Sequence, residues 1–101
     1  PDATGHDVDE AARCVIRDRG YGDFFTHSTG HGIGLELHEL PVVNRMNDEK
    51  LPVGSVVTVE PGIYIDGLGG VRIEDDVIVT PHGAEVITSA SGTELRLLSP
   101  A

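Results

Sequence analysis

Three histidines and two glutamates are the residues of this sequence best suited to chemistry. His27, His31 and His38 lie in the glycine-rich stretch THSTGHGIGLELHE, whose glycines let the backbone come close to the imidazoles. Downstream, Glu60 lies in TVEPGIY and Glu74 lies in VRIEDD. One imidazole and two carboxylates form a borderline-hard ligand set that suits Mn, Fe, Co or Zn. A catalytic site built on them would hold a water or hydroxide as nucleophile.

Spacing alone leaves a second interpretation open, in which these groups are ordinary side chains of strands and loops. The sequence has no HExxH motif and no paired CxxC. The glycines of GHGIG match neither GxGxxG before a helix nor a phosphate-binding loop that ends in Lys-Ser or Lys-Thr. Ser28 lies beside His27, but no GxSxG motif surrounds it, so a nucleophilic serine is disfavoured.

The glutamates need a cation if they share one face of a sheet. Two like charges repel each other, and burying them together is costly unless a cation lies between them. Arg72, two residues before Glu74, could neutralise one carboxylate, whereas a divalent metal could neutralise both. With His31 as the nitrogen ligand, the other two histidines would be left to shuttle protons or to hydrogen-bond a substrate.

Two predicted strands carry the glutamates. Residues 55–65 and residues 71–80 are rich in β-branched side chains, and the loop DGLGG between them predicts a hairpin. Pro61 lacks a backbone N–H, so pairing should weaken or end there.

The hairpin register decides how the glutamates meet. We expect Ile65 to pair with Val71 across the five-residue loop, so that Glu60 opposes Asp76. Glu74 is then the diagonal neighbour of Glu60 on the same face, about 7–8 Å away between backbones. Converging side chains could bridge that gap around a metal.

The conformation of the histidine stretch, residues 26–39, is ambiguous. The three histidines are spaced as one helical face, but three glycines inside a helix would each cost roughly 1 kcal/mol. We therefore predict a glycine-rich turn that leads into a strand, GIGLELH, and then a loop over residues 39–54. A bend or bulge is needed for both His31 and His38 to line one site, because an odd spacing places them on opposite faces of a regular strand.

An amphipathic helix should precede these elements. Asp7 as N-cap and Glu10 as its capping-box partner predict a helix from about Val8 to Arg19, with Gly20 after its end. We expect Cys14 to be a small buried residue of this helix and not a catalytic thiol. Its apolar stripe comprises Val8, Ala11, Ala12, Val15 and Ile16.

The composition fits one soluble domain and disfavours several kinds of partner. The chain has 101 residues, a formal net charge of -10 and a single cysteine. The negative charge disfavours nucleic acid, and no apolar run reaches the roughly 20 residues of a membrane span. One cysteine and no signal peptide predict a reducing, cytoplasmic location.

The motifs GHGIGLELHE, TVEPGIY and VRIEDD, in this order, resemble the metal-dependent aminopeptidases with the pita-bread fold. That family includes methionine aminopeptidase, Xaa-Pro aminopeptidase and prolidase, the Xaa-Pro dipeptidase. The resemblance covers most of the chain, and three ordered motifs are highly specific. It implies an α+β fold, here half of a pita-bread fold, with a curved antiparallel sheet and the N-terminal amphipathic helix.

The resemblance also implies metal ligands. His31 is similar to the single histidine ligand of the family, Glu60 to the fourth ligand and Glu74 to the carboxylate that bridges two metals. The intact enzyme would hold two divalent ions, Mn, Co or Zn.

The remaining site residues point to the proline-specific branch. His38 resembles the histidine that stabilises the tetrahedral intermediate or contacts substrate, and His27 resembles the extra histidine of proline-specific members. Arg72 resembles the arginine which those members place beside the bridging glutamate. The implied reaction is hydrolysis of the bond between a first residue and proline. A methionine aminopeptidase-like peptidase and a non-catalytic binding module that retains the fold are the alternatives.

One departure from the family concerns the first two ligands. The family begins its five ligands with two aspartates from the other half of the fold, and no matching D-x-G…D stretch occurs here. Residues 1–101 are therefore expected to be the C-terminal part of a catalytic domain. Alone they would hold one metal ion or none and be inactive or nearly so. The expected partners are the N-terminal half of the domain, a peptide with proline at its second position, and a second copy of the intact protein in a homodimer.

Overall fold

The computed structural model describes residues 2–88 and 94–99. One α-helix comes first and antiparallel strands follow it, which confirms the predicted α+β class. The elements are α1 (Gly5–Asp18), a short 3₁₀-helix (Gly22–Phe24), β1 (Gly30–Gly32), β2 (Glu39–Val43), β3 (Val56–Val59), β4 (Gly62–Ile65), β5 (Gly69–Arg72), β6 (Asp75–Thr80) and β7 (Gly83–Val86). Among the described residues, no helix has the length and apolar character needed to cross a bilayer.

Helix α1 begins three residues before the predicted start. Thr4 and not Asp7 is the N-cap: the Thr4 hydroxyl accepts a hydrogen bond from the Asp7 N–H at 3.0 Å, and the Asp7 carboxylate accepts one from the Thr4 N–H at 2.9 Å. This reciprocal box satisfies two N–H groups at once. Contacts with a distant loop also hold the first turn, since the His6 N–H donates to the carbonyl of Asn47 at 2.7 Å. Gly20 follows the helix with φ +88°, as predicted.

The predicted apolar stripe of α1 is only partly buried. Val8 packs against the core, but Val15 is 60% exposed. Cys14 is half-buried, less than expected, and its thiol lies 3.5 Å from the Ala11 carbonyl.

Five strands form one antiparallel sheet in the order β2-β1-β3-β6-β7, and β4 and β5 form a separate ribbon. The core consists of aliphatic side chains: Val43, Leu51, Val57, Val77 and Val79. Full burial of each contributes roughly 1.5–3 kcal/mol, so the centre of the sheet is firmly held. Strand β2 lies at an edge of the sheet, and Pro41 lies where its pairing with β1 skips two residues. The predicted loop over residues 39–54 was wrong at its start, because strand β2 occupies Glu39–Val43.

Two long strands were predicted where the structure has four short ones. Pairing stops between Val59 and Gly62, which confirms the expected effect of Pro61. Both ladders share one register, in which Ile63 pairs with Val71 and Val59 with Asp75.

The predicted pairing of Ile65 with Val71 was wrong by two residues, because the turn is shorter than expected. Gly69 is already in strand β5, opposite Ile65, with φ +143°. In this register Glu60 lies opposite Glu74 instead of opposite Asp76. An even shift keeps both glutamates on the same face, as predicted.

Candidate metal centre

The position of His31 depends on the close approach of β1 to its two neighbouring strands. It lies in β1 between Gly30 and Gly32, and its N–H donates to the Thr58 hydroxyl at 3.1 Å. A Cβ at Gly30 would collide with the carbonyl of Thr58, and one at Gly32 with the carbonyl of Leu40. The glycines around the histidine therefore allow β1 to lie against both of its neighbours.

One nitrogen of His31 is left free to act as a ligand. Nδ1 lies 2.9 Å from the carbonyl oxygen of Gly32, which makes it the N–H donor and leaves Nε2 with its lone pair. Nε2 lies 3.8 Å from Oε2 of Glu60, and both side chains are more than four-fifths buried. A neutral imidazole whose other nitrogen donates to a carbonyl is the form that binds divalent metals.

Glu60 and Glu74 lie together as like charges. The Glu60 N–H donates to the Thr29 carbonyl at 2.6 Å, which fixes the backbone at the end of β3. Partial burial, and then the hydrogen bond and charge of Glu60, raise the pKa of Glu74 above its ordinary value, and the charge of Asp76 adds to this. A cation placed between the two carboxylates would remove that repulsion.

Asp76 is a further acidic group that sequence reasoning did not assign to the site. Its Oδ1 is buried and has no hydrogen-bond partner among the described residues. A buried acceptor without a partner costs about 1–3 kcal/mol, so this oxygen adds to the demand for positive charge on this face. The sequence signal that could have identified Asp76 is the alternation of side chains along a strand, because Asp76 lies two residues after Glu74.

These groups fit part of a metal site and not a closed one. The donor set of one imidazole and carboxylates suits a divalent ion of borderline hardness. However, no group of three or more His, Cys, Asp or Glu side chains in the described part of the chain is arranged to hold a metal ion by itself. Arg72 does not neutralise the glutamates, since none of the ion pairs among residues 2–88 and 94–99 includes it.

His27 is held by a residue that sequence reasoning missed. Its Nδ1 donates to the Ser28 carbonyl at 2.7 Å, and its Nε2 accepts from the Tyr64 hydroxyl at 2.9 Å. Its ring also packs edge-on against Phe25, with centroids 5.1 Å apart. The available signal was the tyrosine of EPGIY, two residues after the glycine.

His38 lies on a bend and not on a strand. The predicted strand GIGLELH was wrong: the strand precedes it as β1, and residues 34–38 form a bend that leads into β2. The His38 side chain is exposed, and its ring centroid lies 4.3 Å from that of His31. The register between β1 and β2 is irregular at His31 and Gly32, so the predicted irregularity is present.

A cavity of about 620 Å³ brings most of these groups together. Five of the six predicted site residues line it: His27, His31, His38, Glu60 and Arg72. Glu74 is absent from the cavity wall and lies beside Glu60. Imidazole, carboxylate and guanidinium groups thus line one cavity together.

The chain matches a family profile and known proteins of similar sequence. Residues 1–81 match the profile of Metallopeptidase family M24. An Xaa-Pro dipeptidase from Pyrococcus furiosus is 50% identical over 98 residues, which are 97% of this chain and 27% of that protein.

Solved structures agree with the sequence match. The Xaa-Pro dipeptidase from Bacillus anthracis has a TM-score of 0.91 at 57% identity, over 96% of this chain and 27% of that chain. The X-Pro aminopeptidase from Thermotoga maritima has a TM-score of 0.83 at 53% identity, over 86% of this chain and 25% of that chain. The chain thus spans about a quarter of the length of these relatives and has the fold of the matching part of their pita-bread domains. With a family profile that covers residues 1–81, the chain belongs to metallopeptidase family M24.

Proposed function

We propose that this chain contributes His31, Glu60 and Glu74 to a dinuclear metal centre that hydrolyses the bond between an N-terminal residue and proline. The observation that carries the proposal is the free Nε2 of His31 facing Glu60, beside a second glutamate whose pKa is raised by burial and by its neighbour Glu60. The Xaa-Pro specificity is supported by the names of the similar proteins and by Arg72.

Residues 1–101 would be the C-terminal part of the catalytic domain. The supporting observation is the partial ligand set, to which an upstream segment of the same domain would add the remaining carboxylates. We expect the chain alone to hold one metal ion or none and to be inactive or nearly so. We also propose a homodimer of the intact protein in the cytoplasm, with manganese as the first metal to test and cobalt or zinc as alternatives.

The residues around the cavity would bind and orient the peptide. Bound divalent ions would polarise the scissile carbonyl and activate the attacking water. His38 is exposed at the cavity and can donate a hydrogen bond to the carbonyl oxygen as negative charge develops there. His27 is oriented by Tyr64, so its ring can contact the substrate in one defined position. The long side chain of Arg72 can donate to substrate oxygens from the same wall.

The test is a peptide panel with the longer protein in which we propose that this chain lies. We expect cleavage of Xaa-Pro dipeptides and no cleavage of peptides that begin with Met-Ala. Glu60→Ala should lower kcat/KM by more than about a hundredfold, because loss of a ligand exceeds the 10–100-fold effect of groups around the ligands. Glu85→Ala, an exposed carboxylate on β7, is the matched control and should have no effect.

Two outcomes would contradict the proposal. Preferred cleavage of Met-Ala peptides would indicate a methionine aminopeptidase-like enzyme. A folded protein that binds manganese and hydrolyses no peptide of the panel would indicate a binding module that retains the fold.

A further inference from the structure

A second polar cluster lies on α1, away from the candidate ligands. Asp9 is fully buried and accepts two hydrogen bonds from Arg13, from Nε at 2.8 Å and from Nη2 at 3.0 Å. Thr29, also fully buried, donates its hydroxyl to Asp9 at 2.8 Å. The Arg13 side chain is 12% exposed. The acidic group is thus fully paired within the chain.

The remaining donors of Arg13 bind the backbone of the histidine stretch. Nη1 donates to the carbonyl of Phe25 and Nη2 to the carbonyl of His27, each at 3.0 Å. The guanidinium also lies over the Phe25 ring, 4.0 Å from its centroid. With the Thr29 hydroxyl bound to Asp9, the segment is held at three points on both sides of His27.

The same segment is connected to a candidate ligand. The carbonyl of Thr29 accepts the N–H of Glu60 at 2.6 Å. The chain from Phe25 to Thr29 therefore lies between the helix and the site: one side is bound by Arg13 and Asp9, and the other presents the His27 ring and supports Glu60. A displacement of this segment would move both.

We propose that the Asp9–Arg13 pair is a positioning device that sets the place of His27 and, through Thr29, the backbone of Glu60. A buried ion pair is weak evidence for stabilisation by itself, since apolar side chains of similar volume often serve as well. An apolar pair could not donate hydrogen bonds to the two loop carbonyls, so the geometry favours positioning. Its effect on catalysis rests on the proposed function; its effect on the structure does not.

Helix α1 offers a matched control. Arg17 lies one turn after Arg13 and also donates to a carboxylate of the same helix, that of Glu10, at 2.7 Å. That pair is half exposed, with 54% of the Arg17 side chain accessible. Lysine in either position keeps the charge and loses the planar fork of donors.

The first readout is the NMR signature of the histidine rings in the chain. In Arg13→Lys we expect changed His27 ring shifts and loss of the ring contact between His27 and Tyr64, while His31 and the helical circular dichroism stay as in the wild type. Arg17→Lys should leave all three unchanged. A folded Arg13→Lys chain with an unaltered His27 signature would overturn the proposal.

A second pair of variants serves if Arg13→Lys does not fold. Thr29→Val removes only the hydroxyl that binds Asp9, and Thr29→Ser keeps it. We expect altered His27 shifts in the valine variant and wild-type shifts in the serine variant. Equal spectra for the two folded variants would refute the role of this cluster.

The catalytic readout separates this inference from the proposed function. In the longer protein, Arg13→Lys should lower kcat/KM per folded molecule by about tenfold, since misplacement of about 1 Å can cost up to about a hundredfold. Unchanged kcat/KM per folded molecule would reduce the pair to a stabilising contact and contradict the inference. If the protein shows no peptidase activity at all while the NMR effect is present, the proposed function fails and the positioning role stands.

Discussion

Two acidic regions of this small fold differ in how their charge is neutralised. On α1, burial alone would raise the pKa of Asp9, but the hydrogen bonds from Arg13 and Thr29 and the charge of Arg13 lower it by more, so its pKa lies below the ordinary value. At the sheet, burial and the neighbouring Glu60 raise the pKa of Glu74. The carboxylate of Asp9 is satisfied within the chain, whereas that of Glu74 faces a like charge. Under the proposed function, a bound cation would neutralise Glu74, so the difference would separate a structural charge from a binding one.

The largest effect that tests this comparison is on stability. Asp9→Asn leaves the Arg13 guanidinium buried without its partner, so we expect a loss of about 3–5 kcal/mol in the free energy of unfolding. Glu10→Gln breaks the exposed pair with Arg17 and should cost below about 1 kcal/mol. Urea denaturation of both variants measures the difference. Similar losses for the two would mean that the buried Asp9–Arg13 pair stabilises the fold no more than an exposed ion pair does.

Metal binding should depend directly on the second region. In the protein that carries the complete ligand set, Glu74→Ala should weaken manganese affinity by more than about tenfold, the lower end of the loss caused by changes around ligands. Isothermal calorimetry against the Glu85→Ala control measures the shift. Unchanged affinity would mean that Glu74 is no ligand.

Lowering the pH should reduce the stabilisation that Asp9 contributes to the fold. Because the folded pKa of Asp9 lies below its unfolded value of about 3.9, its contribution is complete above that pH and is lost as the pH falls through the folded pKa. The stability gap between wild type and Asp9→Asn should therefore narrow as the pH is lowered from about 6 to about 3. Asp7, whose pKa is also lowered by hydrogen bonds from Thr4, is common to both proteins and cancels. A difference in the free energy of unfolding that stays constant over this pH range would contradict the lowered pKa of Asp9.

The smallest expected effect is a gain in stability and not a loss. Without metal, Glu74→Gln removes the repulsion with Glu60 and should raise the free energy of unfolding, by less than about 1 kcal/mol because the group is largely exposed. Thermal unfolding in the presence of a chelator, with Glu85→Gln as control, measures it. Destabilisation by Glu74→Gln would show that the glutamate is already satisfied by the chain.

Part of this architecture follows from local patterns. The β-branched alternation and Pro61 predicted which residues share a face and where pairing stops, and the observed register shift of two residues preserved that face. The helix and Gly20 after its end followed from apolar periodicity and turn chemistry. Its cap did not, because the Thr4 box and the contact with the loop at Asn47 prevailed over the pattern at Asp7.

The amino-acid sequence by itself determined the candidate ligand types, the shared face of Glu60 and Glu74, and the family motifs, since each of these depends on identity and short-range spacing. Tertiary structure alone decided that the Nε2 of His31 faces Glu60, that Tyr64 holds His27, and that Arg13 reaches two carbonyls of the histidine stretch. These contacts join residues between 12 and 37 positions apart. No local periodicity records them, because they arise only where separate elements pack together.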